Sequence, residues 1–264
     1  MAIGLSLHIG IKKINPEHYA GSSGMLDGTE ADARAMHALA SNQGFTGKPV
    51  LTTEATRQKV ISEIRAAASN LKGGDIFFIS YSGHGGLLPN LNRDPESEGN
   101  DQSWCLFDGQ LCDDELKNLW AGFKPGVRVL VISDSCFSGT ILKFHGMVHN
   151  KAKILPTTIL KQTYLNNKAF YDDILTRPNT PDNQIQASVL LLSSCTDNQQ
   201  SLDGPFNSVF TEELINVWAN GNFTGDYNVF ASAIEDHTPS SQTPQIKVAG
   251  VPNNAFLNSK PFTI

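Results

Sequence analysis

A histidine and a cysteine each stand just beyond a strongly apolar run, inside a glycine-bearing loop. The first loop reads Tyr81-Ser82-Gly83-His84-Gly85-Gly86, and the second reads Asp134-Ser135-Cys136-Phe137-Ser138-Gly139. A thiol with an ordinary pKa of about 8.5 is mostly protonated at neutral pH, and an imidazole beside it takes the proton as sulfur attacks a carbonyl. The glycines leave room for a substrate backbone and expose N–H groups to the oxygen that becomes negative. Gly85 and Cys136 are the candidate donors of that oxyanion hole. The expected chemistry is acyl transfer through a thioester, with Cys136 as nucleophile and His84 as base and then acid, and it requires no cofactor. Taken singly, a loop histidine is unremarkable and a free cysteine is usually a small buried apolar residue. Their occurrence on matching loops favours catalysis.

Caspases carry a Q-A-C-x-G motif with its histidine about 50 residues upstream. Here the interval is similar, but Asp134 replaces Gln and the segment is one residue longer. The combination of YSGHG, DSCxSG and Leu192-Ser-Ser-Cys-Thr-Asp-Asn-Gln199, followed by Phe210-Thr211, resembles the metacaspase and orthocaspase branch of the caspase-like cysteine peptidases. The resemblance runs from about Ile3 to Ile246. Two positions depart from the family pattern: Ala31 stands where Asn is usual, and Phe137 where many members have a non-catalytic His.

The resemblance implies a caspase-like α/β fold with a mostly parallel six-stranded sheet and helices on both faces. It implies an endopeptidase working with a dyad, and a pocket for the side chain before the scissile bond lined by Asp32, Ser82 and Asp134. Two carboxylates there favour an ammonium or guanidinium partner and repel an acidic one, so cleavage after Arg or Lys is expected in place of caspase-type cleavage after Asp. It also points to calcium as an activator held by Asp113 and Asp114, with Glu98 or Asp101 as further oxygen donors. Against that, a further family Asp falls on Lys143, and Asp113-Asp114-Glu115 reads equally well as the acid-rich start of a helix.

The elements that must carry these loops are legible as alternating β and α patterns. Apolar runs at Asp75–Ser80, Val127–Ser133 and Ser188–Ser193 read as parallel strands covered on both faces, and Ala2–Ile11 as a buried first strand. Val50 and Leu51 read as a short strand. Helices are expected over about Asp27–Asn42, from a Thr56 cap through Val60, Ile64 and Leu71, and around Asp114–Ala121, Val209–Asn220 and Tyr227–Asp236. In such a sheet, ligands sit at the carboxyl ends of the strands, which is where both reactive loops fall. Residues 89–103 and 145–187 break the rhythm and read as surface loops. The second divides a single domain into a large-subunit-like part (1–144), an inter-subunit loop (145–187) and a small-subunit-like part (188–264). Lys151, Lys153, Lys161, Lys168 and Arg177 in that loop all suit an acidic pocket, so self-cleavage is weighed against an ordinary solvated loop.

The 264 residues, 40% apolar and 17% charged, suit one globular domain. A net charge of −6 without a basic block argues against nucleic acid or anionic lipid as partners, and the opening apolar stretch is too short to span a bilayer. Four scattered cysteines without a CxxC pair suit a reducing cytoplasm. Cys105, Cys112 and Cys195 read as packing residues, and His145 and His149 lack a third ligand for a metal. A catalytically silent scaffold is the alternative reading, although it would normally have lost His84 or Cys136. A redox role would call for a resolving cysteine nearby in sequence, and a dinucleotide site would need a glycine fingerprint after the first strand. A separately encoded activator is expected among the partners.

Overall fold

A computed structural model describes residues 1–92, 100–136, 151–196 and 199–264. Glu98, Phe137, Lys143, His145 and His149 lie outside the described residues. The chain builds β1 (Gly4–Gly10), α1 (Thr29–Asn42), β2 (Thr46–Leu51), α2 (Arg57–Asn70), β3 (Ile76–Ser82), β4 (Gly85–Pro89), β5 (Asn100–Leu106) and β6 (Gly109–Cys112). It continues through α3 (Asp113–Trp120), β7 (Arg128–Asp134), α4 (Thr157–Asn166), α5 (Lys168–Leu175), β8 (Ser188–Ser193), α6 (Val209–Trp218), α7 (Tyr227–Glu235), β9 (Gln245–Gly250) and α8 (Asn254–Leu257).

Six strands form the main sheet in the order β2-β1-β3-β7-β8-β9, parallel except for the antiparallel edge strand β9. Alternation along β3 sends Phe77 and Ile79 to one face and Ile76 and Phe78 to the other. The first face packs on α2 and α3 through Val60, Ile64, Leu116 and Trp120, and the second on α1, α6 and α7 through Met36, Leu39, Leu214 and Phe230. This two-sided burial is why the central strands are continuous apolar runs. Thr56 caps α2 as expected, its side chain accepting from the Lys59 N–H at 3.2 Å.

Chain direction sets the site. β1 leads outward to β2 and then returns to β3 on its other side, so the order reverses between β1 and β3, the point at which an open α/β sheet places its ligand site at the carboxyl ends. Register there aligns Gly10 with Ser82 and Ser82 with Asp134. α1 packs so closely over this end that a Cβ on Gly10 would lie 2.4 Å from the Thr29 carbonyl oxygen, which brings Asp32, one turn into α1, over the strand ends.

The expected loops are corrected in part. Residues 151–187 are not a plain surface loop, because they contain α4 and α5, with Leu155, Leu160, Tyr171 and Leu175 buried. The helical signal is weak because each helix buries few side chains. Within 89–103, Asn100 onward pairs in a small antiparallel sheet, β4-β5-β6, that was not foreseen. β9 also escaped notice, since as an edge strand it has no fully buried position.

Candidate active site

The candidate base His84 and the candidate nucleophile Cys136 arise from the loops that leave β3 and β7. His84 is 5% exposed, and its Nε2 lies 3.0 Å from the Gly24 carbonyl, which accepts the ring N–H. That contact assigns the proton to Nε2 and leaves Nδ1 unprotonated, and Nδ1 has no hydrogen-bond partner. Burial depresses the imidazole pKa to about 4. The Gly24 contact opposes this, while the Lys153 and Lys151 charges add to it. Burial likewise pushes the Cys136 thiol well above its ordinary value, reinforced by the neighbouring Cys195 thiol. Both groups are therefore neutral near pH 7, an imidazole and a thiol.

The thiol rests on Ser201, whose N–H lies 2.6 Å from Sγ and whose carbonyl accepts from it at 3.3 Å. Cys195, remote in sequence, reaches Cys136 because β7 and β8 pair Ser133 with Ser193, three and two residues before the respective cysteines. Tyr81 stiffens the base loop: its hydroxyl donates to the His84 carbonyl at 2.7 Å, and its ring stacks on Trp104 at 4.7 Å.

Asp32, Ser82 and Asp134 do converge, and all three are at most 3% exposed. Ser82 Oγ donates to Asp32 Oδ2 at 2.7 Å. Asp32 Oδ1 accepts from Asn207 Nδ2 and the Ser208 N–H, each at 2.9 Å, and Oδ2 accepts from the Ser208 hydroxyl. Asp134 accepts from Thr211 Oγ1 at 2.8 Å and from the Ser201 hydroxyl. Ser201, Asn207, Ser208 and Thr211 escaped the sequence reading as pocket residues. Only Thr211 carried a signal, as part of Phe210-Thr211.

The pocket holds a residue of the chain itself. Lys153, fully buried, extends its ammonium to Asp134 Oδ2 at 3.0 Å, Asp32 Oδ2 at 3.4 Å and Ser82 Oγ at 2.8 Å. Burial alone would depress its pKa, but the two carboxylates more than offset that and hold it above the ordinary lysine value. Burial raises the Asp134 carboxyl, Lys153 opposes the rise, and Asp32 adds to it.

Lys153 is also gripped by its backbone. Its carbonyl oxygen accepts from the Gly85 N–H at 2.9 Å and the Cys136 N–H at 3.2 Å, so both candidate oxyanion donors meet on one carbonyl. Its own N–H donates to Ser201 O at 2.9 Å, and two residues earlier Lys151 O accepts from Asp203 N–H at 2.8 Å. The segment Lys151–Lys153 thus lies antiparallel to Ser201–Asp203, with a bridge at Ala152 and Leu202, and Ile154 bridges Gly85. Gly85 admits no side chain here, since a Cβ would stand 1.6 Å from the Cys136 carbonyl oxygen.

Asp113 and Asp114 open α3, away from this cleft. Asp114 accepts from Asn92 Nδ2 and Asn179 Nδ2, each at 2.6 Å, and pairs with Lys117 at 3.3 Å. Among the described residues no group of three or more His, Cys, Asp or Glu is placed to hold a metal. Asp101 is buried on β5. Cys105 and Cys112 are buried and free, and the Cys105 N–H donates to the His84 carbonyl at 2.9 Å.

Comparison with known proteins agrees with this architecture. The family model described as "Caspase domain" (Peptidase C14) matches residues 13–255. Curated relatives include Metacaspase-4 of Arabidopsis thaliana, 32% identical over 47% of this chain and 32% of its own, and Metacaspase-1 of Schizosaccharomyces pombe, 30% identical over 60% and 44%. The matches therefore span a third to under half of those longer proteins. The crystal structure of protein GSU0716 from Geobacter sulfurreducens superposes with a TM-score of 0.91 at 45% identity, over 99% of this chain and 98% of that one. The chain belongs to the caspase domain family, the caspase-like cysteine peptidases.

Proposed function

We propose that this chain is an endopeptidase that cuts after Lys or Arg with Cys136 and His84, and that its own Lys153–Ile154 bond is among its substrates. One observation carries the reading: the Lys153 ammonium lies between Asp134 and Asp32 while its carbonyl oxygen faces the N–H groups of Gly85 and Cys136. A packing lysine has no need of the second feature. In the reaction the Cys136 thiol gives its proton to His84 Nδ1 as sulfur bonds to the carbonyl carbon, and the negative oxygen is held by the two N–H groups. His84 then protonates the leaving amine as the C–N bond breaks, and water hydrolyses the thioester.

Before cleavage the Lys151–Lys153 segment fills the cleft, so the uncut chain blocks its own pocket. Downstream, Leu155 and Leu160 are anchored in the core, whereas Lys151–Lys153 is held by the site alone. A cut at Lys153–Ile154 therefore frees the side that plugs the cleft. Four free buried thiols suit a reducing compartment such as the cytoplasm, and no helix among the described residues is long and apolar enough to cross a membrane.

The test is a panel of fluorogenic peptides ending in Arg, Lys, Asp or Asn, assayed with calcium and with chelator. Turnover of the Arg and Lys peptides, lost in Cys136→Ala, is expected. Turnover of the Asp peptide alone would overturn the pocket assignment, and activity surviving Cys136→Ala would overturn the nucleophile.

A further inference from the structure

An extended segment points every second side chain to the same side, so Lys151 and Lys153 leave the docked strand together. Lys153 enters the buried pocket, while Lys151 remains half-exposed and its ammonium meets Asp27 Oδ2 at 2.8 Å. The Asp27 carboxyl is accordingly held below the ordinary range by that hydrogen bond and charge, and Lys151 is held above its own.

Asp27 does not stand there by chance of a loop. Its backbone N–H and that of Gly28 donate to the two oxygens of Asp203 at 2.6 and 3.0 Å. Asp203 is 2% exposed, and it is the residue whose own N–H pairs with the Lys151 carbonyl. One buried carboxylate thus ties the turn that presents Asp27 to the strand that receives the substrate backbone. We infer that Asp27, positioned by Asp203, is a second specificity determinant, selecting a basic residue at the third position before the scissile bond. The preferred substrate is then a segment with two basic residues separated by one, as in Lys151-Ala152-Lys153. This rests on the peptidase reading above and refines its substrate class.

The test compares peptides with Arg before the scissile bond and Lys, norleucine or Glu two residues earlier. They are assayed on self-cleaved wild type, Asp27→Asn and Asp27→Lys. A half-exposed ion pair supports a preference of about two- to fivefold in kcat/KM for Lys over norleucine. That ratio should fall toward unity in Asp27→Asn, turn in favour of Glu in Asp27→Lys, and shrink at high salt in wild type. Self-cleavage of Lys151→Gln and Lys151→Glu should slow by a similar or larger factor. Equal ratios in all three chains, or no preference in wild type, overturn the role of Asp27 while leaving cleavage after Arg intact. Failure to turn over any peptide with Arg before the bond overturns the peptidase reading and this inference together.

Discussion

Replacing Lys153 by Met keeps most of the side-chain length and removes the ammonium. In the wild type that ammonium is the cation between Asp134 and Asp32, both 1% exposed, and it also donates to Ser82. Breaking a buried ion pair by removing one partner costs about 3–5 kcal/mol, because the remaining charge is left uncompensated. Here the docked segment has an escape: it leaves the cleft, and water reaches the carboxylates. The cost therefore appears as undocking, and the equilibrium constant for docking should fall by a factor of about 10² to a few times 10³. Self-cleavage should slow by up to the same factor, since in the proposed reaction only the docked pose is cut. A time course of intact mass on freshly purified protein reads this directly. Wild type should yield fragments 1–153 and 154–264, Cys136→Ala a single species, and Lys153→Met a single species over the wild-type time course. Lys153→Arg, which keeps the charge and can engage a carboxylate with two N–H groups, should still be cut. The reasoning is refuted if Lys153→Met is nicked at the wild-type rate, or if wild type remains whole while it hydrolyses Arg peptides.

Two further outcomes follow from the same geometry. Gly85→Ala would force a Cβ to within 1.6 Å of the Cys136 carbonyl oxygen and displace one of the two N–H groups on the Lys153 oxygen. A loss of about 10² or more in kcat with a near-native circular dichroism spectrum is expected, and a fully active variant would remove Gly85 from the mechanism. The second concerns acid stability. His8 and His84 are buried neutral, with pKa values lowered by burial to about 3 and about 4 from 6.5. Between those values and 6.5 the unfolded chain binds more protons, so stability is fully present above pH 6.5 and declines as pH falls, by about 1.4 kcal/mol per pH unit for each histidine. The raised Asp134 carboxyl acts in the opposite direction. Urea unfolding of Cys136→Ala and of Cys136→Ala/His84→Asn isolates one histidine: between pH 7 and 5.5 the double variant should lose about 1.2 kcal/mol less. Parallel losses would mean that His84 is not buried neutral.

The amino-acid sequence by itself determined the central strands, most of the flanking helices and the pair His84 and Cys136. These are local or strongly periodic signals: apolar runs buried on both faces, a Thr cap, and glycine loops at strand ends. It also singled out Asp32, Ser82 and Asp134, although only through a family likeness, since nothing in spacing says that residues a hundred apart share a pocket. Tertiary structure decided that they do, because parallel register lines up Ser82 with Asp134 and the close packing of α1 on Gly10 lowers Asp32 onto them. It also decided which of five basic residues enters the acidic pocket. Lys153 has no distinguishing neighbours in sequence, yet it alone among them is fully buried between two carboxylates, because its segment pairs with Ser201–Asp203 and is anchored downstream by Leu155. Asp27, Asp203 and Ser201 remained silent for the same reason: their roles depend on backbone groups that meet only when the chain has folded.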